Sequence, residues 1–224
     1  LMLLIANWKQ NKTIDQIPAW VDGIEDVSKS GYEKGVDIVI APSFPLIFPL
    51  KKEIESRSLN IKIASQDISR FDKGSHTGEV GGFQLSGYVS HVIVGHSERR
   101  DIGETSDDIN QKIENALKNE LKPIICFRSI VDYKEISNEY KSNPEVIFAY
   151  EPTYAIGTGD SASADEVDKV FSGAGIVKGV YGGSVDTSSI KNYINLQSVQ
   201  GFLVGTASLD VLEFKKLHNI IISA

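Results

Sequence analysis

The 224-residue chain has one cysteine, one methionine and two tryptophans, and only 8% of its residues are aromatic. Its single thiol, Cys126, has no partner for an internal disulfide. It lies in the apolar run Ile124-Ile125-Cys126-Phe127, where a small buried side chain is the expectation and a catalytic role is not. Positive charge is scarce. Lys and Arg number 23 against 30 Asp and Glu, a net charge of -7, which argues against the clustered basic surface that non-specific nucleic-acid or anionic-membrane binding requires. A small anionic substrate remains compatible, because one lysine, helix N-termini and glycine N–H groups can build a local positive site in a negative protein. Long apolar runs are missing. None reaches the roughly 18 to 20 residues of a membrane span, and the run that opens at Leu1 stops before Asn7, short of a signal peptide. The expectation is a cytoplasmic protein with no nucleic-acid and no membrane partner. No linker, low-complexity tract, G-x-G-x-x-G or Walker sequence occurs, so a single domain over residues 1–224 is expected.

What the chain does have is alternation. Short β-like runs at 3–6, 37–41, 61–65, 91–94, 123–126, 146–150, 176–181 and 201–204 are separated by segments with helical spacing of apolar residues, including 16–29, 106–119, 164–171, 187–196 and 209–222. Ser163 and Glu166 have capping-box spacing at the start of one of these helices. Eight βα units in this length fit a closed (β/α)8 barrel better than an open doubly wound sheet, which would carry a recognisable nucleotide loop.

Polar residues follow the apolar runs on their carboxyl side, and in a barrel those ends meet at one face. Asn7 and Lys9 are two apart on an extended chain, which points both to one side while Trp8 turns away. Glu151 ends a strand-like run, Pro152 stiffens the exit, and Gly157 and Gly159 follow, as suits a base beneath a lid. Singly, each residue has a plain structural reading: Lys9 solvated, Asn7 capping a turn, His96 structural. Their convergence at one rim favours chemistry.

The blocks Asn7-Trp8-Lys9, His76-Thr77-Gly78-Glu79-Val80, Val94-Gly95-His96-Ser97-Glu98-Arg99-Arg100, Tyr150-Glu151-Pro152 with the glycines after it, Tyr181-Gly182-Gly183-Ser184-Val185 and the segment from Gly201 to Leu209 resemble, in order, the triosephosphate isomerase family. The resemblance implies an α/β fold, a (β/α)8 TIM barrel, that interconverts dihydroxyacetone phosphate and glyceraldehyde 3-phosphate with no cofactor and no metal. It implies Glu151 as base, His96 and Lys9 as stabilisers of the developing negative charge, Asn7 as a further donor, and Glu98 as a second acidic residue near the lysine, either scaffolding or catalytic. Gly157, Ser184, Gly205 and Thr206 would line the phosphate through backbone N–H groups. Residues 152–162 would form a lid, held through its backbone by the Tyr181 hydroxyl and Ser184. Arg99 is expected in a buried structural ion pair. The loop 72–80 resembles one that reaches into a neighbouring subunit, so a homodimer is expected. Two other readings exist: a barrel with different chemistry on a phosphorylated sugar, and a binding protein that has lost catalysis. The joint presence of Glu151, His96 and Lys9 argues against both.

The chain departs from the family pattern at several places. The usual Pro-Val-Trp at the lid's start is Pro152-Thr153-Tyr154, and the usual Cys-Ile-Gly-Glu is Cys126-Phe127-Arg128-Ser129. Tyr154 is therefore expected to use another partner, Ser129 or Arg128. Thr206 replaces a common glycine, Gln200 a common Asp and Asp160 a common lysine, and the segment from Cys126 to Glu151 is short, so the fifth helical layer is expected to be trimmed.

Overall fold

Strand alternation decides the architecture. The structure, a computed structural model, describes residues 2–155 and 161–224, with the backbone alone for 29–33. Eight parallel strands close in sequence order into one barrel: β1 (Met2–Asn7), β2 (Val36–Ala41), β3 (Ile61–Ser65), β4 (His91–Val94), β5 (Lys122–Phe127), β6 (Ile147–Tyr150), β7 (Gly179–Tyr181) and β8 (Val199–Val204), the last pairing back onto β1. Alternate residues split into two cores, as period-2 geometry requires. Ile5, Val39, Ile93, Ile124, Ala149 and Leu203 fill the barrel interior, with Cys126 among them. Their neighbours, such as Leu4, Ile38, Val92, Ile125 and Phe202, face the helices. Burial on both sides explains why β2 is apolar almost throughout, with all of its residues buried.

The helices are α1 (Ile17–Glu33), α2 (Phe44–Ser56), α3 (Gly82–Leu85), α4 (Ser97–Asp101), α5 (Ser106–Lys118), α6 (Ile130–Lys134), α7 (Asn138–Lys141), α8 (Ala164–Ala174) and α9 (Val211–Ile222). Between β5 and β6 stand only the short α6 and α7, so the fifth layer is trimmed as expected. Helix α2 tolerates two prolines: Pro45 falls at its start, where no N–H partner is lost, and Pro49 lies inside. The helix expected at 187–196 shrinks to a 3-10 turn at Ile190–Asn192. Its start is taken by side chains: Asp186 Oδ1 accepts the N–H groups of Ser188 and Ser189, each at 2.8 Å, and the Ser189 hydroxyl donates to the Ser184 carbonyl. Strand β7 begins later than expected, because the Ile176 N–H closes the end of α8 on the Phe171 carbonyl at 2.9 Å.

The capping box at Ser163 is half formed. Ser163 Oγ accepts the Glu166 N–H at 3.2 Å, but the Glu166 carboxylate goes to two tyrosines instead of reaching back. A complete box stands at α5, where Thr105 and Asp108 cap each other.

Candidate active site

The interior parity of β1 runs through Leu3 and Ile5 to Asn7, and that of β6 through Ile147 and Ala149 to Glu151, so both side chains enter the carboxyl-end mouth of the barrel. After Asn7 the chain is not extended. Lys9 has φ +50°, and its N–H donates to Asn7 Oδ1 at 3.1 Å. A left-handed turn, not strand geometry, therefore brings Asn7 and Lys9 to one side, while Trp8 is buried edge-on against Trp20 at 5.0 Å. Gln66 braces that turn. Its amide donates to the carbonyls of Lys9 and Ala41 at 2.9 and 2.8 Å, a role with no motif to announce it.

His96 reaches the mouth through Gly95, whose φ of +68° suits glycine, and it caps α4. The Glu98 N–H points at His96 Nδ1 from 3.2 Å, so Nδ1 is an acceptor and the ring proton sits on Nε2. Nε2 in turn lies 3.2 Å from Glu151 Oε1. The other carboxylate oxygen accepts the Ser97 N–H at 3.2 Å, at the start of the same helix. Glu151 is 1% exposed, so the Ser97 N–H and the facing imidazole are the polar groups beside a carboxylate that water does not reach. Gly182 is required beside it, since a Cβ there would stand 2.9 Å from Glu151 Cγ. Burial first, then the Glu151 charge, pushes the Cys126 thiol well above its ordinary value, which keeps it an inert neighbour.

Asn7, Lys9, His96, Glu151, Gly205 and Thr206 border one cavity of about 320 Å³, and Ser184 lines it as well. Gly205 borders Lys9: a Cβ there would meet Lys9 Cε at 3.5 Å. Thr206, exposed at the rim, starts a 3-10 turn at Thr206–Ser208. Gly157 lies outside the described residues. The Ser184 N–H and hydroxyl both donate to the Ala155 carbonyl, the former at 2.9 Å. Glu98 faces a neighbouring recess of about 210 Å³ and holds Lys9 Nζ at 2.6 Å from Oε1.

The lid expected at 152–162 is described at its two ends. At one, Ala155 is held by Ser184. At the other, the Tyr181 hydroxyl accepts the Ala162 N–H at 2.8 Å and the Tyr193 hydroxyl donates to the Ala162 carbonyl. Residues 156–160, Asp160 among them, lie outside the described residues. Tyr154 takes neither Ser129 nor Arg128: its hydroxyl donates to Glu166 Oε2 at 2.6 Å. Ser129 caps α6, and Arg128 is held by Asp132 at 2.9 Å. The buried arginine is Arg100, 9% exposed, which donates to the carbonyls of Gly95 and Cys126; Arg99 pairs with Asp67 at 3.2 Å but is partly exposed. Gln200 donates to the Lys178 carbonyl, away from the cavity.

The family model described as triosephosphate isomerase matches residues 2–221. The chain belongs to the triosephosphate isomerase family. It is 35% identical to the triosephosphate isomerase of Mesomycoplasma hyopneumoniae (strain 232), over 96% of this chain and 97% of the relative. It is 34% identical to the triosephosphate isomerase of Mycoplasmopsis pulmonis (strain UAB CTIP), over 96% of each, and 34% identical to that of Colwellia psychrerythraea (strain 34H / ATCC BAA-681), over 95% of this chain and 94% of the relative. Triosephosphate isomerases are isomerases built as barrels, and the closed eight-stranded topology agrees with that membership. No helix among the described residues is long and apolar enough to cross a membrane.

Proposed function

We propose that this chain interconverts dihydroxyacetone phosphate and D-glyceraldehyde 3-phosphate through an enediolate. The observation that carries the reading is the contact between Glu151 and His96 Nε2 at 3.2 Å, with Lys9 on the wall of the same cavity. A carboxylate, a neutral N–H donor and an ammonium within one small cup supply what proton transfer between adjacent carbons demands. The base takes a proton from the carbon beside the carbonyl, and two donors hold the oxygens on which charge develops. Lys9 is already engaged by Glu98 and His96 Nε2 faces Glu151, so binding substrate exchanges these contacts for substrate oxygens. Glu151 then returns the proton to the neighbouring carbon.

The phosphate fits the side of the cavity bordered by Gly205 and Thr206, with Ser184 and Gly157 as further contributors when the lid between 152 and 162 closes. No metal or cofactor enters this scheme. We further propose a homodimer through the loop 72–80. Its test is sedimentation on dilution, with a mass that stays dimeric to low micromolar concentration expected and a fully active monomer counting against it. The activity itself is tested by a coupled assay with glyceraldehyde 3-phosphate, run beside Glu151→Gln. Turnover in the parent with a loss of several orders of magnitude in the variant is expected; equal activity in both would remove Glu151 as base.

A further inference from the structure

Glu166 has an unusual pair of partners. Its Oε1 accepts from the Tyr150 hydroxyl at 3.0 Å and its Oε2 from the Tyr154 hydroxyl at 2.6 Å. The two tyrosines differ in what holds them. Tyr150, immediately before Glu151, is 4% exposed and packs against Phe127, Phe171 and Tyr181 with ring centroids at 5.6, 6.4 and 6.4 Å. Tyr154, in the 3-10 turn Thr153–Ala155 at the start of the lid, is 50% exposed, so burial fixes its ring far less. Glu166 itself sits in the first turn of α8, just beyond the lid's far end at Ala162, and its backbone is fixed there by Ser163.

We infer that Glu166 is a positioning residue that ties the first turn of the lid to its far end and to the strand end that carries Glu151. The buried Tyr150 orients the carboxylate, and the carboxylate in turn receives Tyr154. Hydrogen bonds to an ionised acceptor are about twice as strong as neutral ones, so this latch can hold a half-exposed ring in place. It complements the anchors on the lid backbone, Ser184 at Ala155 and the Tyr181 and Tyr193 hydroxyls at Ala162. The turn Thr153–Ala155 is thereby fastened by two side chains, and so is Ala162. The functional consequence rests on the isomerase reading: a lid that is held at its hinges turns the binding energy of a remote phosphate into closure over the reacting carbons, and a slack lid wastes it.

The test compares the parent with Tyr154→Phe, Glu166→Gln and the double variant. Amide hydrogen exchange of the peptide spanning 150–166, measured without substrate, is expected to quicken in all three variants. For glyceraldehyde 3-phosphate, kcat/KM is expected to fall about tenfold in each single variant and no further in the double, because both changes break the same contact. For glyceraldehyde, which lacks the phosphate, kcat/KM is expected to stay within about twofold, while with glyceraldehyde 3-phosphate the fraction of turnover lost to phosphate elimination is expected to rise. Unchanged exchange, additive losses, or equal losses on both substrates would overturn the latch; the last would mark general damage to the site. A parent with no isomerase activity would sink the functional reading instead, and the exchange comparison would still decide whether Glu166 holds the lid.

Discussion

His96 Nε2 and Glu151 Oε1 are 3.2 Å apart, so the ring nitrogen and the carboxylate face each other across the mouth of the barrel. Under the proposed isomerase reading, a substrate oxygen that accepts from Nε2 draws the imidazole away from the carboxylate and leaves the carboxylate free toward carbon. Replacing the imidazole by an amide disrupts that exchange. His96→Gln is expected to lower kcat by about 10²–10³-fold with a much smaller change in KM, the pattern of a donor that matters mainly in the transition state. Steady-state kinetics checks it, and a rise in KM alone would assign His96 to ground-state binding.

Gly182 carries a second expectation. A methyl group there would stand 2.9 Å from Glu151 Cγ and 3.4 Å from its Oε1, so the Glu151 side chain must shift. Since misplacement by about 1 Å costs about 10²-fold in rate, Gly182→Ala is expected to reduce kcat by that order while the far-ultraviolet spectrum stays unchanged.

The Lys9–Glu98 pair separates positioning from stability. Its side chains are 28% and 55% exposed, and exposed pairs contribute about 0–1 kcal/mol. Glu98→Gln is expected to leave urea unfolding within about 1 kcal/mol of the parent. Because it releases the ammonium at the cavity wall, it is expected to lower kcat about tenfold. Loss of stability without loss of rate would show Glu98 to be scaffolding.

Acid stability depends on a site at the opposite end of the barrel. Burial, followed by the charges of Lys62 and Lys122, pushes the His91 imidazole from 6.5 down to about 4, while Asp37 and Glu145 pull the other way and Ser90 Oγ lies 2.8 Å from Nδ1. With its pKa lower in the folded chain, the unfolded chain binds the extra proton between those two values. Stability is therefore complete above about pH 6.5 and falls as pH drops toward about 4, by up to about 3 kcal/mol from this group. Urea unfolding at about pH 7 and about pH 4.5 is expected to show that decline in the parent and a shallower one in His91→Gln.

The barrel was legible because strands buried on both faces leave short apolar runs, and because polar residues such as Asn7, His96 and Glu151 interrupt them at one end. What stayed hidden depended on partners distant in sequence. Spacing suggested that Glu166 would cap its own helix, yet two tyrosine hydroxyls from the lid side compete better for its oxygens. Helical periodicity at 187–196 gave no weight to Asp186, whose carboxylate satisfies the backbone locally. Adjacent arginines look alike in sequence, but only the fold reveals that Arg100 turns inward to the Gly95 and Cys126 carbonyls. The left-handed turn at Lys9 is likewise settled by tertiary contacts with Gln66.

The most direct measurement of the central claim follows the substrate's carbon-bound hydrogen in heavy water. Dihydroxyacetone phosphate converted by the parent is expected to give glyceraldehyde 3-phosphate carrying solvent deuterium at C2, because a proton held on the Glu151 carboxylate exchanges before it is returned, and Glu151→Gln is expected to give almost no labelled product. Product formed rapidly with its original hydrogen fully retained would mean direct hydride transfer, and would contradict a carboxylate base at this site.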